Sequence, residues 1–475
     1  MPDAPAGQAR HRALSGRPSE RPAPALPAPR SRARRTAPLP RPRFVDACAA
    51  VAGIGFGAVL ASVITNESRA SLAAPGGLLT AGGRLAGFTG TYLILIMVVL
   101  VARLPWLEQS VGQDQLIRWH RRISGWAISL IIIHVVLIIL GYAQTAKSTA
   151  VSEAWLLVRS YRDILAAVVG FGLLMLAGVT SYRAVRKRLR YETWWVVHLY
   201  LYLGLALAFA HQIVTGVSFV GHPLVRALWI AIWIGTAGLV LTCRIALPAW
   251  RSMRHGLRVV EVRREAPGVV SVICRGRALD KLPVSGGQFF QWRFLTRELW
   301  WQAHPFSLSA LPQPPYVRFT VKGAGDASRT VARLRPGTRV AFEGPYGVFT
   351  HHARLSDGVL LIAAGVGVTP LRALLEDLPA DANVVVIVRA SAAADVPHRA
   401  EVAALVEHRR GRLHELIGSR HKIRLTARTI RHLVPDIAYR DVYICGPAGF
   451  GDEVITSARK LGVPDDRIHS ESFGF

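Results

Sequence analysis

Two pairs of histidines sit in apolar surroundings, His120 with His134 and His198 with His211, spaced fourteen and thirteen residues apart. An unpaired imidazole nitrogen is costly in hydrocarbon, so histidines within membrane-length segments mark functional sites by default. Four of them on two segments invite two bis-histidine hemes, a ladder for moving electrons across a bilayer. On a helix, fourteen residues separate the rings by ~20 Å and return to within about 40° of the same face, whereas thirteen leave a rotation of ~140°. The segment holding His198 and His211 therefore needs tilt, curvature or a winding defect to aim both rings. Each ring's second nitrogen also needs a carbonyl or hydroxyl partner. Histidines that only cross-link helices, or a copper or zinc transport site, are the competing readings. Ligands of one small ion cluster within a few ångströms, however, and those within each segment here are several turns apart.

Composition supplies the frame for these residues. The chain has 475 residues, 51% of them hydrophobic, with a mean hydropathy of +0.29, which points to a membrane protein. The net charge of +28 comes almost wholly from arginine, with only six lysines, and is a compositional bias rather than a nucleic-acid footprint. Cys48, Cys243, Cys274 and Cys445 are too scattered for a zinc cluster, an iron–sulfur site or a disulfide framework. Residues 1–43, with ten arginines against two acids, read as a disordered basic tail facing the cytoplasm.

Six apolar stretches follow, Phe44–Thr65, Leu85–Leu104, Ile123–Tyr142, Ile164–Tyr182, Trp194–Val214 and Ala227–Leu247. Each has the ~20 residues that span a hydrocarbon core. Arginines flank one side of the set, at Arg118, Arg121, Arg122, Arg183–Arg190, Arg251 and Arg254, which makes that side cytoplasmic. The third and fifth stretches then run parallel, with His120 level with His198 on the inner side and His134 level with His211 on the outer side. Beyond Leu257, short alternating runs at Leu257–Arg263, Val269–Cys274, Gln288–Phe294, Tyr316–Val321 and Arg339–Phe342 predict a small antiparallel barrel. From Val359 the pattern changes to strand then helix, repeated at Val384, His414 and Val442, which predicts a doubly wound parallel sheet. The expected architecture is a multidomain membrane protein, with a six-helix heme bundle at 44–250, a β-barrel at 255–353 and an α/β domain at 356–475.

Leu360–Leu371 has a logic of its own. A buried strand ends in Gly365 and Gly367, and a helix begins near Thr369 and Pro370, its N-terminus free to face a pyrophosphate. The spacing is not the G-x-G-x-x-G fingerprint, so no acidic ribose ligand is expected.

Taken in order, the six spans, His304-Pro-Phe-Ser307, Gly344-Pro-Tyr-Gly347, Gly365-Val-Gly-Val-Thr-Pro370, Cys445-Gly-Pro447 and a terminal aromatic resemble the ferric reductase and NADPH oxidase superfamily. Its soluble half is of the ferredoxin-NADP reductase type, and the resemblance covers residues 44–475. It implies two hemes b on the four histidines and an FAD lined by His304, Pro305, Phe306 and Ser307. Lys322 and Ser328 of the Gly325-Asp-Ala-Ser328 turn would lie near the pyrophosphate. It also implies a nicotinamide site with Cys445, Gly446 and Pro447 beside the ring, Glu471 near hydride transfer, and Phe475 stacked on the flavin. Arg389, Ser391, Ser419 and Arg420 suit a 2′-phosphate, favouring NADPH with NADH possible. The implied activity is transfer of electrons from cytoplasmic NADPH through FAD and both hemes to a small extracytoplasmic acceptor, dioxygen or a ferric chelate, in a multi-pass cell-membrane protein. A membrane diaphorase feeding a quinone or redox partner, and a non-enzymatic scaffold with a degenerate reductase fold, are the rivals.

Overall fold

Backbone polar groups in hydrocarbon must be satisfied within the segment, and the apolar stretches meet this as helices. The computed structural model describes residues 42–215, 219, 222–323, 325–419 and 423–473. Most of the arginine-rich tail lies outside them, as do Arg420 and Phe475. Six long helices come first: α1 (Pro42–Thr65), α2 (Gly77–Leu100), α3 (Gln113–Ala146), α4 (Arg162–Ser181), α5 (Tyr191–Thr215) and α6 (Pro223–Leu241). Each is long and apolar enough to cross a membrane, and the protein is multi-pass. Helix α3 begins well before its apolar stretch, so His120 lies inside the helix and not at its edge. Helices α4 and α5 pack backbone to backbone, because a Cβ on Gly170 would stand 2.6 Å from the Gly204 carbonyl oxygen. Such small-residue contacts are how helices associate where lipid offers no hydrophobic drive.

The last span does not end at the membrane. The Leu247 N–H bonds to the Thr242 carbonyl, five residues back, so Thr242–Ala246 is a π-turn immediately before Pro248, which has no N–H to give. The rod continues as α7 (Leu247–His255) and stops at Gly256, whose φ of +52° favours glycine.

Six strands follow: β1 (Arg258–Ala266), β2 (Val269–Arg275), β3 (Phe289–Phe294), β4 (His304–Ser307), β5 (Tyr316–Lys322) and β6 (Val340–Tyr346). They form two antiparallel three-stranded sheets, β1-β2-β5 and β4-β3-β6, around one core in which Trp292 and Phe319 stack at 4.2 Å. This corrects the single barrel expected from the strand pattern. Bulges in β1 and between Phe289 and Gln291 bend the strands, and only the isolated bridges Arg258–Arg339 and Leu308–Phe319 join the sheet edges. The His-Pro-Phe-Ser motif is itself a strand, β4.

The remaining chain alternates as β7 (Gly358–Ala364), α8 (Val368–Asp377), β8 (Asn383–Ala390), α9 (Arg399–His408), β9 (Arg412–Ile417), α10 (Ala427–Leu433), β10 (Asp441–Pro447), α11 (Ala448–Lys460) and β11 (Ile468–Phe473). The sheet order is β11-β10-β7-β8-β9 and every pair is parallel. Alternate residues of β7 enter different cores, Val359 and Leu361 with α8 and Leu360 and Ile362 with α10 and α11, so both faces are covered. The order reverses between β7 and β10, the position at which open parallel sheets of this kind take ligands at their strands' carboxyl ends.

Buried charges tie the two soluble lobes together. Arg318 on β5 donates to both oxygens of Glu401 at 2.7 and 2.6 Å, and Arg372 on α8 reaches the same carboxylate at 2.8 Å. His398 Nε2 lies 2.9 Å from the Thr320 hydroxyl. Burial alone would raise the Glu401 pKa, but hydrogen bonds from Arg318 and His398 and the charges of Arg318 and Arg372 hold it far below the usual carboxylate range. A depressed acid stabilises the fold above the unfolded value of about 4.3 and loses that stabilisation as pH falls below it. Glu401→Gln is therefore expected to cost roughly 3 kcal/mol at neutral pH. In denaturant titrations the gap to wild type should narrow below pH ~4.

Candidate functional site

Helices α3 and α5 bring the histidines together in two sets. The His120 and His198 ring centroids lie 6.4 Å apart, and His134 and His211 are close enough to interact electrostatically. His120 Nδ1 lies 3.2 Å from the Met97 carbonyl and His134 Nδ1 lies 2.8 Å from the Gly83 carbonyl, both on α2. His198 Nδ1 lies 3.3 Å from the Ser181 hydroxyl at the end of α4, and Trp194, whose Nε1 donates to the same hydroxyl, stacks on its ring. His211 Nδ1 lies 3.9 Å from a carboxylate oxygen of Asp163 at the start of α4. Gly87 makes room for His134, since a Cβ there would meet its Nδ1 at 2.6 Å.

For His120, His134 and His198, whose Nδ1 atoms meet groups on a neighbouring helix, Nε2 is the nitrogen suited to bind metal. Imidazole–metal bonds run about 2 Å, so with half a ring on either side two axial histidines hold their centroids on the order of 6 Å apart. The spacing of His120 and His198 fits that requirement. Among the described residues there is no group of three or more His, Cys, Asp or Glu that could hold an ion. Helix α5 is unbroken, so no winding defect absorbs the thirteen-residue spacing. Its two rings are steadied by opposite ends of the antiparallel α4.

His304 and Phe306 on β4 and Phe319 on β5 of the facing sheet form a ladder of near-parallel rings, 5.9 and 6.0 Å between successive centroids. Trp292 Nε1 donates to the Phe306 carbonyl at 2.9 Å and fixes the strand. His304 Nε2 and Ser307 Oγ are buried without a hydrogen-bond partner among the described residues. Burial, helped by the charge of Arg293, lowers the His304 pKa and favours the neutral ring. Orphaned buried polar atoms on an aromatic strand fit a planar polar ligand such as a flavin. Pro305 and Lys322 are exposed, and Ser328 closes its own turn by accepting from the Gly325 N–H.

The glycine turn after β7 packs against β5 and so meets the flavin-type strand system. Gly365 takes a φ of +55°, and a Cβ on Gly367 would stand 2.2 Å from the Cys445 carbonyl oxygen, a contact only glycine permits. Thr369 Oγ1 is buried and unpartnered among the described residues, and Pro370 is buried in the first turn of α8. Cys445 and Glu471 are register partners on adjacent strands, and Gly446 and Pro447 pair with Ser472 and Phe473. Burial, with Glu471 adding to it, pushes the Cys445 thiol well above its ordinary range, so it is neutral and not a nucleophile. Arg389 is turned inward, donating to the carbonyls of Ala390 and Ile423, whereas Ser419 is exposed. Strand β11, which carries Glu471, went unforeseen because Ile468–Phe473 is short and polar. Asp163 and Ser181 were also missed; a charge at the very start of an apolar stretch was the available signal.

The membrane and soluble halves meet at a charged joint. Arg251 on α7 donates to the Gly344 carbonyl, Arg103 lies over the Tyr346 ring at 4.6 Å, and Arg244 in the π-turn faces Glu343 at 3.9 Å. Glu108, on the short helix Pro105–Val111, is only 3% exposed. Burial raises its pKa to about 7 against the pull of Arg103 and Arg244. The folded protein thus keeps a proton that the unfolded chain gives up near pH 4.3, and stability falls as pH rises from about 4 to about 7. Glu108→Gln should remove that slope and exceed wild type above pH 7 by up to about 3 kcal/mol, as read by thermal unfolding across pH.

Residues 86–209 match the family described as the ferric reductase like transmembrane component, a stretch that contains His120, His134 and His198 and ends just before His211. The membrane half is a ferric reductase-like domain. The chain is also 30% identical over 244 residues to an NADPH oxidoreductase of Mycobacterium tuberculosis, covering 48% of this chain and 62% of the relative. It is 31% identical over 236 residues to the ferredoxin reductase component of 3-ketosteroid-9-alpha-monooxygenase of Mycolicibacterium smegmatis, covering 45% and 63%. The chain thus spans less than two thirds of the length of these relatives. Among solved structures, the flavohem-like FAD/NAD binding domain of nitric oxide dioxygenase from Vibrio cholerae aligns over 46% of this chain and 99% of that one, at 26% identity and a TM-score of 0.40. The chain therefore carries a stretch similar to a ferric reductase like transmembrane component and is similar over about half its length to curated reductases.

Proposed function

We propose that this protein carries electrons from NADPH, through FAD and two hemes b, across the membrane to a small acceptor on the far side, dioxygen or a ferric chelate. The observation that carries the proposal is the pair His120 and His198, 6.4 Å apart on separate helices with each Nδ1 facing a fixed partner. His134 and His211 are the second pair. FAD, when bound, supplies the conversion between two-electron and one-electron chemistry, and the hemes supply single-electron sites.

In this reading residues 44–250 hold the hemes, 255–353 the FAD and 356–475 the nucleotide, with the tail and soluble lobes cytoplasmic. His304, Pro305, Phe306 and Ser307 bind the flavin, the aromatic ladder with its ring faces and the buried His304 and Ser307 atoms with hydrogen bonds. Lys322 and Ser328 lie along its pyrophosphate. Gly365, Gly367, Thr369 and Pro370 cradle the nucleotide phosphates, with Gly446 and Pro447 flanking them. Cys445 and Glu471, adjacent across β10 and β11, border the nicotinamide, and Phe475 covers the flavin until nucleotide enters. Arg389 acts indirectly, bracing the Ile423 backbone beside Ser419 and Arg420, which read the 2′-phosphate.

The purified protein should show a heme Soret band and flavin fluorescence. His134→Ala or His211→Ala should remove about one heme's absorbance while NADPH-to-dye turnover continues. Equal loss of heme and dye turnover in these variants would mean that the histidines serve only to fold the protein.

A further inference from the structure

Three of the four histidines turn Nδ1 toward a neutral group, the Met97 and Gly83 carbonyls and the Ser181 hydroxyl. The fourth, His211, faces a carboxylate. Asp163 Oδ2 lies 3.9 Å from His211 Nδ1 and is buried, with no hydrogen-bond partner among the described residues. Asp163 is the second residue of α4, and the cap residue Tyr161 makes no side-chain hydrogen bond, so the free N–H groups of the first turn complement a negative charge there. A buried acid beside a membrane-embedded histidine is expensive to keep without a purpose. Helix capping alone does not need it half-buried against an imidazole.

We propose that Asp163 is a positioning residue that sets the two heme sites apart, its carboxylate placing negative charge 3.9 Å from His211 Nδ1 so that His211 is the ligand most favourable to a positive iron. This rests on the heme reading given above. A carboxylate on the far nitrogen raises ligand basicity and favours the ferric over the ferrous state. The site shared by His134 and His211 is then the stronger reductant of the two, and its two axial ligands are unequal: a carbonyl stands behind His134 and a carboxylate behind His211.

The test is a spectroelectrochemical titration of the full-length heme-loaded protein, comparing wild type with Asp163→Asn and Asp163→Glu. One wave, the one whose absorbance disappears in His211→Ala, should move to higher potential in Asp163→Asn. The other wave should stay in place, and Asp163→Glu should remain close to wild type. Retention of the second heme in Asp163→Glu but its loss in Asp163→Asn would equally support the carboxylate as the group that holds His211. Two hemes with both waves unmoved in Asp163→Asn, or both moved alike, would overturn the inference while leaving the heme reading intact. Wild-type protein that binds no heme would instead overturn the heme reading, and this inference with it.

Discussion

An imidazole in hydrocarbon has two nitrogens to satisfy, and the membrane half is arranged around that requirement. Each of the four rings turns Nδ1 to a group on a neighbouring helix, a hydrogen-bond partner for three of them and the Asp163 carboxylate for His211. Helix α2 serves α3 with backbone carbonyls, and it can come close enough only because Gly87 has no side chain. Helix α4 serves α5 from both ends, Ser181 at its last residue and Asp163 in its first turn, and the Gly170–Gly204 contact sets the approach of the two. Changing one helix contact would thus misaim a ring several residues away.

The soluble half meets a different constraint, a backbone that must come close to a ligand at the point where the sheet changes direction. Gly367 presses against the Cys445 carbonyl, and the turn containing it also touches β5. The same helix, α8, supplies Arg372 to the Glu401 cluster, so the loop at its start is held by the ion pairs that join the lobes. Rigid attachment then runs from β6 through the Arg251 bond to Gly344 and up the continuous rod of α6 and α7 into the bundle. The soluble strands meet the bundle through Arg251, Arg103 and Arg244.

Much of this was legible in the residues. Four histidines at two spacings identified α3 and α5, and alternation followed by strand–helix repeats separated the two soluble folds. Other features depend on distant chain segments and leave no local trace. Arg389 reads as a phosphate ligand until the chain near Ile423 draws its guanidinium inward. The strands up to Tyr346 read as one barrel, but their ladders form two three-stranded sheets. Span five appeared to need tilt, curvature or a winding defect; the helix is unbroken, and partners at both ends of α4 meet its two rings. The π-turn, Thr242–Ala246, comes between α6 and α7, just ahead of the helix that holds Pro248.

The central claim is that one chain joins a nicotinamide–flavin site to two stacked hemes. Anaerobic addition of NADPH to the purified protein, followed by optical spectroscopy with flavin and heme quantified, tests it most directly. The account predicts two hemes per flavin and reduction of both hemes by NADPH with no added mediator. A colourless protein, or hemes that stay oxidised while the flavin is reduced, would contradict it.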